Sequence, residues 1–483
     1  MDAHSPAALA VVRSLARRGL SVDAAGEEGA FNLAAYSRYP EERFVYPNPS
    51  HSIPDFLSFI KDLAARNAYQ FIFPITDRTI VPLHHFRKDF PAPGSIVLPP
   101  HDSLQTTLDK RATLELAGTL HVPIPETVFC SSIQELEENI DKLKFPVVVK
   151  SRFSKFIRED KLLSDDGPDF CDLKEELIRA WGEKDRIIPG PLVQEMILGE
   201  GYGIFLLMQK GEAKAIFAHR RLREEDPLGA RSSYCESIEP PPRMKEYAMR
   251  LLKEINWTGP AMVELKLDKR DGIPKLMEIN GRFWGSLPLA IASGVDFPYL
   301  YYQMLLEERG YSDDVAETFR LHLEPRLEEA KQQPSSSHFE RRRSEAISKI
   351  HRKPLISNAM RLLRPLRLTS FAQGARNDHG STENADYQTD SEGRRYDTEH
   401  YKIGVKARYL YADFQHLINV LKGPPESWMT FYPKRMKTIL AFLASFRLGI
   451  KYFNLDIRDP KPGLVENARF LFRELPRRLL NRK

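Results

Sequence analysis

Val263-Glu264-Leu265 and Met277-Glu278-Ile279-Asn280-Gly281-Arg282 are the stretches on which the fold is decided. Apolar residues run up to and away from a Lys269-Arg270-Asp271-Gly272 turn, so residues 259–267 and 273–279 read as the strands of one hairpin. Paired strands lie about 4.8 Å apart, which lets Glu264 and Glu278 share one cation-sized site. Glu278 and Asn280 occupy alternate positions in an apolar strand and therefore one face. Two carboxylates and an amide oxygen are hard donors that suit Mg²⁺ or Mn²⁺. Arg282, two residues on, brings a planar fork to any phosphate held there.

Upstream, Phe145-Pro146-Val147-Val148-Val149-Lys150 is an apolar strand that ends in a charge, and Lys110 falls on a helix expected over residues 102–117. A lysine at the end of a buried strand needs an anion or solvent, and two of them can neutralise a pair of phosphates. Leu192-Val193-Gln194-Glu195-Met196-Ile197-Leu198-Gly199-Glu200-Gly201 reads as a buried strand opening into a glycine-flanked turn. Backbone groups at such a strand end can pair with an adenine edge, and Glu200 can accept from ribose hydroxyls. Arg220, Arg221 and Arg223 follow another strand and can clamp a substrate carboxylate, although a solvated basic edge explains them equally well. His219 alone reads as a structural strand residue.

The first hundred residues alternate helix and strand: helices over 6–17 and 54–66, strands over 20–25 and 70–75. That alternation predicts a doubly wound parallel sheet. Met1-Asp2-Ala3-His4-Ser5-Pro6 resembles the turn after a first strand, which predicts an upstream start in the native reading frame or its ancestor. A chain of 483 residues holds about three domains. A net charge of +5 is too small for that length to mark a nucleic-acid binder. Cys130, Cys171 and Cys235 show no metal spacing, and Ala7–Val12 is too short for the apolar segment of a leader. Ile439–Phe446, the longest apolar run, falls short of the roughly 20 residues that cross a bilayer. These features predict a cytoplasmic protein.

Taken in order, Lys110, Lys150, Glu195, Glu264, Glu278, Asn280 and Arg282 resemble the ATP-grasp superfamily, in particular its carboxylate–amine ligase-type and carbamoyl-phosphate-synthase large-subunit-like members. The resemblance covers roughly residues 1–310. It implies a mixed α/β and α+β fold. A Rossmann-like domain would occupy residues 1–100 and an ATP-grasp domain 101–310, with a small lobe over about 120–195 and a large lobe over about 196–310. It also implies ATP bound by Lys110, Lys150, Glu195, Met196, Ile197, Glu200 and Met277, and Mg²⁺ held by Glu264, Glu278 and Asn280. Arg282 would contact the transferring phosphate. The implied activity is ATP-dependent joining of a small-molecule carboxylate to an amine through an acyl phosphate. Where many relatives carry a glycine-rich loop, this chain has Ser151-Arg152-Phe153-Ser154-Lys155-Phe156-Ile157-Arg158. Fingerprints of other nucleotide folds are absent: there is no Gly-x-x-x-x-Gly-Lys-Ser/Thr and no Gly-x-Gly-x-x-Gly.

Composition shifts near residue 328. Residues 311–400 read as a basic and polar linker, partly disordered, and 401–483 as a helical C-terminal region attached to the catalytic core. Between 341 and 373, nine Lys/Arg face one acid, Glu345, and 466–483 repeats the basic amphipathic pattern. Such segments suit an anionic membrane surface, at about 1 kcal/mol per basic residue, although packing on acidic parts of the core, or plain solvation, explains them better. The reading from a different class is a non-catalytic nucleotide-binding module with a membrane- or partner-binding C-terminal region.

Overall fold

A computed structural model describes residues 1–66, 69–90, 95–165, 167–229, 231–310, 388–389, 395–396, 401–423, 432–446 and 449–475. The linker, the basic stretch 341–373 and residues 476–483 lie almost wholly outside them. Two compact units emerge, Met1–Tyr302 with Thr398–Gly463, and Gln303–Asp397 with Leu464–Lys483.

The first unit begins with α1 (Pro6–Arg17), whose first turn is capped by the Ser5 hydroxyl accepting from Ala7 N and Ala8 N. Strands β1 (Ala24–Glu27) and β2 (Arg43–Tyr46) pair in parallel, and α2 (Ile53–Arg66) follows. The strand expected over 70–75 reduces to a single parallel bridge between Ile72 and Ile96. The doubly wound sheet is correspondingly thin here. Chain-terminal contacts fill the space beside it: the Met1 amino group donates to Phe73 O at 2.8 Å and Ala3 N to Ala25 O at 3.0 Å. The buried Asp2 carboxylate accepts from Ile75 N, Thr76 N and the Thr79 hydroxyl, which places α3 (Asp77–His85) at the rim of the site.

The helix expected over 102–117 is two helices, α4 (His101–Leu108) and α5 (Lys110–Thr119). Asp109 breaks it: extended backbone there lets its carboxylate cap Arg111 N and Ala112 N, and Lys110 becomes the first residue of α5. Next come β3 (Thr127–Phe129), α6 (Ile133–Asn139), β4 (Val147–Lys150), the hairpin β5 (Lys155–Arg158) and β6 (Lys161–Ser164), β7 (Asp169–Cys171), α7 (Lys174–Ile187) and β8 (Leu192–Glu195). β3, β8, β4 and β7 form a four-stranded antiparallel sheet in that order.

The large sheet is built on β9 (Gly199–Gln209), β10 (Glu212–Glu224), β11 (Ser232–Ile238), β12 (Gly259–Asp268) and β13 (Pro274–Asn280), with α8 (Pro242–Glu254) between β11 and β12. β9 is central and covered on both faces. Ile204, Leu206 and Met208 point with Ala261, Val263 and Leu265 of β12 into a core shared with Met244, Ala248, Leu251 and Leu252 of α8. The α8 residues fall at i, i+4, i+7 and i+8, one stripe of a helix. The alternate residues of β12, Met262, Glu264 and Lys266, therefore belong to the opposite face. Helices α9 (Leu287–Ser293) and α10 (Phe297–Glu308) follow. In the second unit, β14 (Gln388–Thr389) pairs antiparallel with β15 (Arg395–Tyr396).

Residues 398–463 are not an attachment. β16 (Lys406–Arg408) adds to the edge of β11, and β17 (Lys451–Tyr452) adds in parallel to β16, giving seven strands in the order β13-β12-β9-β10-β11-β16-β17. Helix α11 (Leu410–Lys422) contributes Asp413, fully buried, which accepts from Arg223 of β10 at 2.6 and 2.8 Å, from Arg408 and from Ser233. Helix α12 (Arg435–Ala444) packs beside it. Further on, Asp459 accepts from Arg13 at 2.9 Å and from Ser37 at 2.7 Å. No described helix is long and apolar enough to cross a membrane.

Candidate active site

The β12–β13 register sets Glu264 directly opposite Glu278 and Met262 opposite Asn280. A bulge makes this possible. Glu264 pairs with Glu278 but Leu265 pairs with Leu276, so Met277 is the extra residue. Below the bulge Leu276 points into the apolar core; above it Glu278 and Asn280 rise on the opposite face, and Met277 joins the cavity lining. Gly203, opposite Glu264 on the other side, has no room for a side chain: a Cβ would stand 2.5 Å from Phe205.

Electrostatics differ sharply across the pair. Burial, with Glu278 opposite, holds the Glu264 carboxyl above the usual carboxylate range against the pull of Arg221, which reaches Glu264 Oε2 at 2.5 Å. Burial also pushes Glu278 upward, but Lys110, the Asn280 amide, Lys150 and Arg282 together hold it below the usual range. Asn280 Nδ2 donates to Glu278 at 2.7 Å, while Asn280 Oδ1 accepts from Arg282 at 2.8 Å. A divalent cation fits two facing carboxylates whose charges otherwise repel. With Asn280 turned this way its oxygen serves the guanidinium, so the donor set is the two glutamates. Among the described residues no cluster of three or more His, Cys, Asp or Glu occurs.

A cavity above Glu278 and Asn280 is lined by Asp77, Thr107, Lys110, Ser154, Lys155, Met277 and Gly281, among others. Lys110 Nζ donates to Ser154 Oγ at 2.9 Å. Lys150 ends β4, and burial pushes its ammonium down to about 8, with Glu278 opposing that shift and Lys110 adding to it. No hydrogen bond or ion pair among the described residues engages the Lys150 side chain. Arg282 is aimed by Asp77, whose carboxylate accepts from Nε at 2.9 Å. Lys155 lies in the basic segment that the sequence sets in place of a glycine-rich loop, whereas nothing local in the sequence points to Asp77, which reaches the site through long-range packing.

Glu195, Met196 and Ile197, the expected hinge, are not among the residues that line this cavity. The Glu195 carboxylate is held by Lys275 at 2.9 Å, Arg270 at 2.7 Å and Glu126 N at 3.0 Å, which leaves backbone alone for base recognition. Glu200 accepts from Tyr202 at 3.0 Å. The three arginines separate: Arg221 joins Glu264 and Glu224, Arg220 pairs with Glu236, and Arg223 braces Asp413 outside the site. His219 is buried, its Nδ1 3.2 Å from Ser286 Oγ. The three cysteines are buried and unpaired.

Gly281 separates Asn280 from Arg282 for a packing reason. A Cβ there would meet Trp257 at 2.4 Å and Thr107 at 2.9 Å. Gly281→Ala is expected to cost about 1–3 kcal/mol of stability by overpacking. It should also displace Arg282; chemical denaturation together with an assay of ADP formation measures both effects.

Residues 188–325 match a family described as ATP-grasp in the biosynthetic pathway with Ter operon. Over 210 residues the chain is 22% identical to the arginine-specific large chain of mitochondrial carbamoyl phosphate synthase of Schizosaccharomyces pombe. That alignment takes in 42% of this chain but only 17% of the relative. A biotin carboxylase β,γ-ATP complex from Campylobacter jejuni superposes with a TM-score of 0.50 at 14% identity, covering 64% of this chain and 69% of that one. The biotin carboxylase domain of Hydrogenobacter thermophilus 2-oxoglutarate carboxylase, bound to MgADP, ADP and bicarbonate, gives 0.50 at 16% identity, covering 62% and 67%.

Proposed function

We propose that this protein, which matches an ATP-grasp family over residues 188–325, is an ATP- and Mg²⁺-dependent ligase that activates a carboxylate as an acyl phosphate and transfers it to an amine. The observation that carries this reading is the Lys150 ammonium, buried and without a hydrogen-bond or ion-pair partner among the described residues, in the field of two opposed carboxylates and of Lys110. An ammonium that no protein acceptor engages directly is free to bind a polyphosphate, and a divalent cation would join that polyphosphate to the carboxylates. The relatives' bound ligands, an adenine nucleotide with magnesium and bicarbonate, are of the matching chemical classes.

In this reading Lys110 and Lys150 bind the phosphates of ATP. Mg²⁺ on Glu264 and Glu278 would supply Lewis-acid neutralisation of the same oxygens. A substrate carboxylate oxygen attacks the γ-phosphorus in line, the bond to the β,γ-bridging oxygen breaks, and ADP leaves. The amine nitrogen then attacks the acyl carbon, the carbon–oxygen bond to phosphate breaks, and inorganic phosphate departs as the nitrogen loses a proton. Arg282, held by Asp77, stabilises negative charge on the transferring group. No covalent protein nucleophile is needed.

The test is ADP release from ATP with pooled carboxylates and amines. Release that requires Mg²⁺ and one carboxylate, with a conjugate formed on adding the amine, is the expected result. Tight nucleotide binding with no ADP release from any pool sinks the ligase reading in favour of a nucleotide-binding module.

A further inference from the structure

The hairpin β5–β6 stands where many ATP-grasp proteins carry a glycine-rich loop, and it is built differently. Glu159 and Asp160 form its two-residue turn, both at positive φ, 49° and 57°. The tip is tied down: Ile53 N donates to Asp160 O at 2.9 Å and Leu162 N to Pro49 O at 3.0 Å. Leu162 is 2% exposed and buried in the core formed by Tyr46, Ile53, Phe56 and Ile60. Its base is tied to the start of α5. Arg152 grips Asp109 with Nε at 2.9 and 3.0 Å and Nη2 at 2.5 Å, and Lys110 N donates to Arg152 O at 3.0 Å. A segment fixed at both ends presents a side chain at a defined place, and the first residue of β5 is Lys155.

Lys155 lines the cavity beside Lys110, Glu278 and Asn280, half-buried. No hydrogen bond or ion pair among the described residues engages its ammonium. The charges that face it are Asp77 and Arg78 from α3, Arg282 after β13, and Asp165 after β6. Both acids are already committed, Asp77 to Arg282 and Asp165 to Lys184 at 2.7 Å. Arg78 is taken by Glu27 at 2.7 Å through both arms of its fork. A cation in this place, with every neighbouring anion occupied, is a site for an incoming anion.

We propose that Lys155 contacts the terminal phosphoryl group of the nucleotide directly, a charged side chain on a pinned hairpin doing what backbone amides do in a glycine-rich loop. The inference rests on the ATP reading above. The γ-phosphate is favoured over the inner phosphates because Arg282, which the proposed mechanism sets against the transferring group, is among the charges that face Lys155.

Calorimetric titration of the full chain with Mg²⁺ and either a non-hydrolysable ATP analogue or ADP tests this, for wild type, Lys155→Met and Lys155→Arg. The expected result is that Lys155→Met weakens the analogue about tenfold or more, leaves ADP within about twofold, and is largely rescued by Lys155→Arg. Equal weakening of both nucleotides, or weakening of neither, overturns the proposal while leaving ATP binding intact. A wild-type protein that binds neither nucleotide overturns the ATP reading itself, and this inference with it.

Discussion

Replacing Glu278 with glutamine is expected to lower ADP formation by about 10²–10³-fold while the protein stays folded. Glu278 is one of two facing carboxylates, and the one held ionised by Lys110, Asn280, Lys150 and Arg282 against its burial. Glutamine keeps the volume and can still meet Asn280, so the β12–β13 ladder survives. What disappears is the charge, which opposes Lys150 and would hold a divalent cation with Glu264. The half-saturating Mg²⁺ concentration should therefore rise along with the loss of turnover. Glu264→Gln should share the metal phenotype and add a structural one, because it takes from the buried Arg221 one of its two carboxylate partners. Wild-type ADP formation by Glu278→Gln, at wild-type Mg²⁺ demand, would falsify the assignment.

Asp413→Ala is expected to cost about 3–5 kcal/mol of folding stability, although the residue is remote from the cavity. Its carboxylate is fully buried between Arg408, also fully buried, and Arg223, 11% exposed. Removing it strands two guanidinium groups in the interior, and that penalty far exceeds the net value of a surface pair. Urea denaturation followed by circular dichroism measures the loss. Replacing Asp413 and Arg408 together by apolar residues should recover much of it, because a buried pair contributes little over a hydrophobic substitute. A change below about 1 kcal/mol in the single variant would show that residues 401–446 are not braced through this network.

The β12–β13 hairpin was legible in the sequence because strand alternation is a local rule. Glu264 and Glu278 fall opposite each other, and Glu278 and Asn280 share a face. The bulge at Met277 was not legible, since one extra residue leaves no compositional mark. The break in the 102–117 helix was missed because Asp109 reads as an ordinary helical polar residue until Arg152 is brought against it. Asp77 lies 205 residues from the Arg282 it aims, and no pattern spans that interval. β16 is three residues, Lys406-Ala407-Arg408, too short for any period to register, so its part in the large sheet was invisible. Arg221 and Arg223, side by side in sequence spacing, go to opposite tasks because a bulge in β10 lies between them.

The completion of the large sheet by β16 also imposes a timetable on biosynthesis. Cys235 meets Ala407 across 172 residues, and Arg13 meets Asp459 across 446. At about 5–20 residues per second, a ribosome that has made Arg13 needs roughly 20–90 s to deliver its partner. β11 waits less, roughly 9–34 s for its partner 172 residues on, and until then it is an open edge, the kind of surface on which nascent chains aggregate. Ending translation before Lys406 removes β16 and β17 while sparing every residue of the β12–β13 hairpin. Loss of those last 78 residues is thus a defect of solubility first and of chemistry second, and co-expressed chaperones should relieve the full-length protein far more than such a truncation.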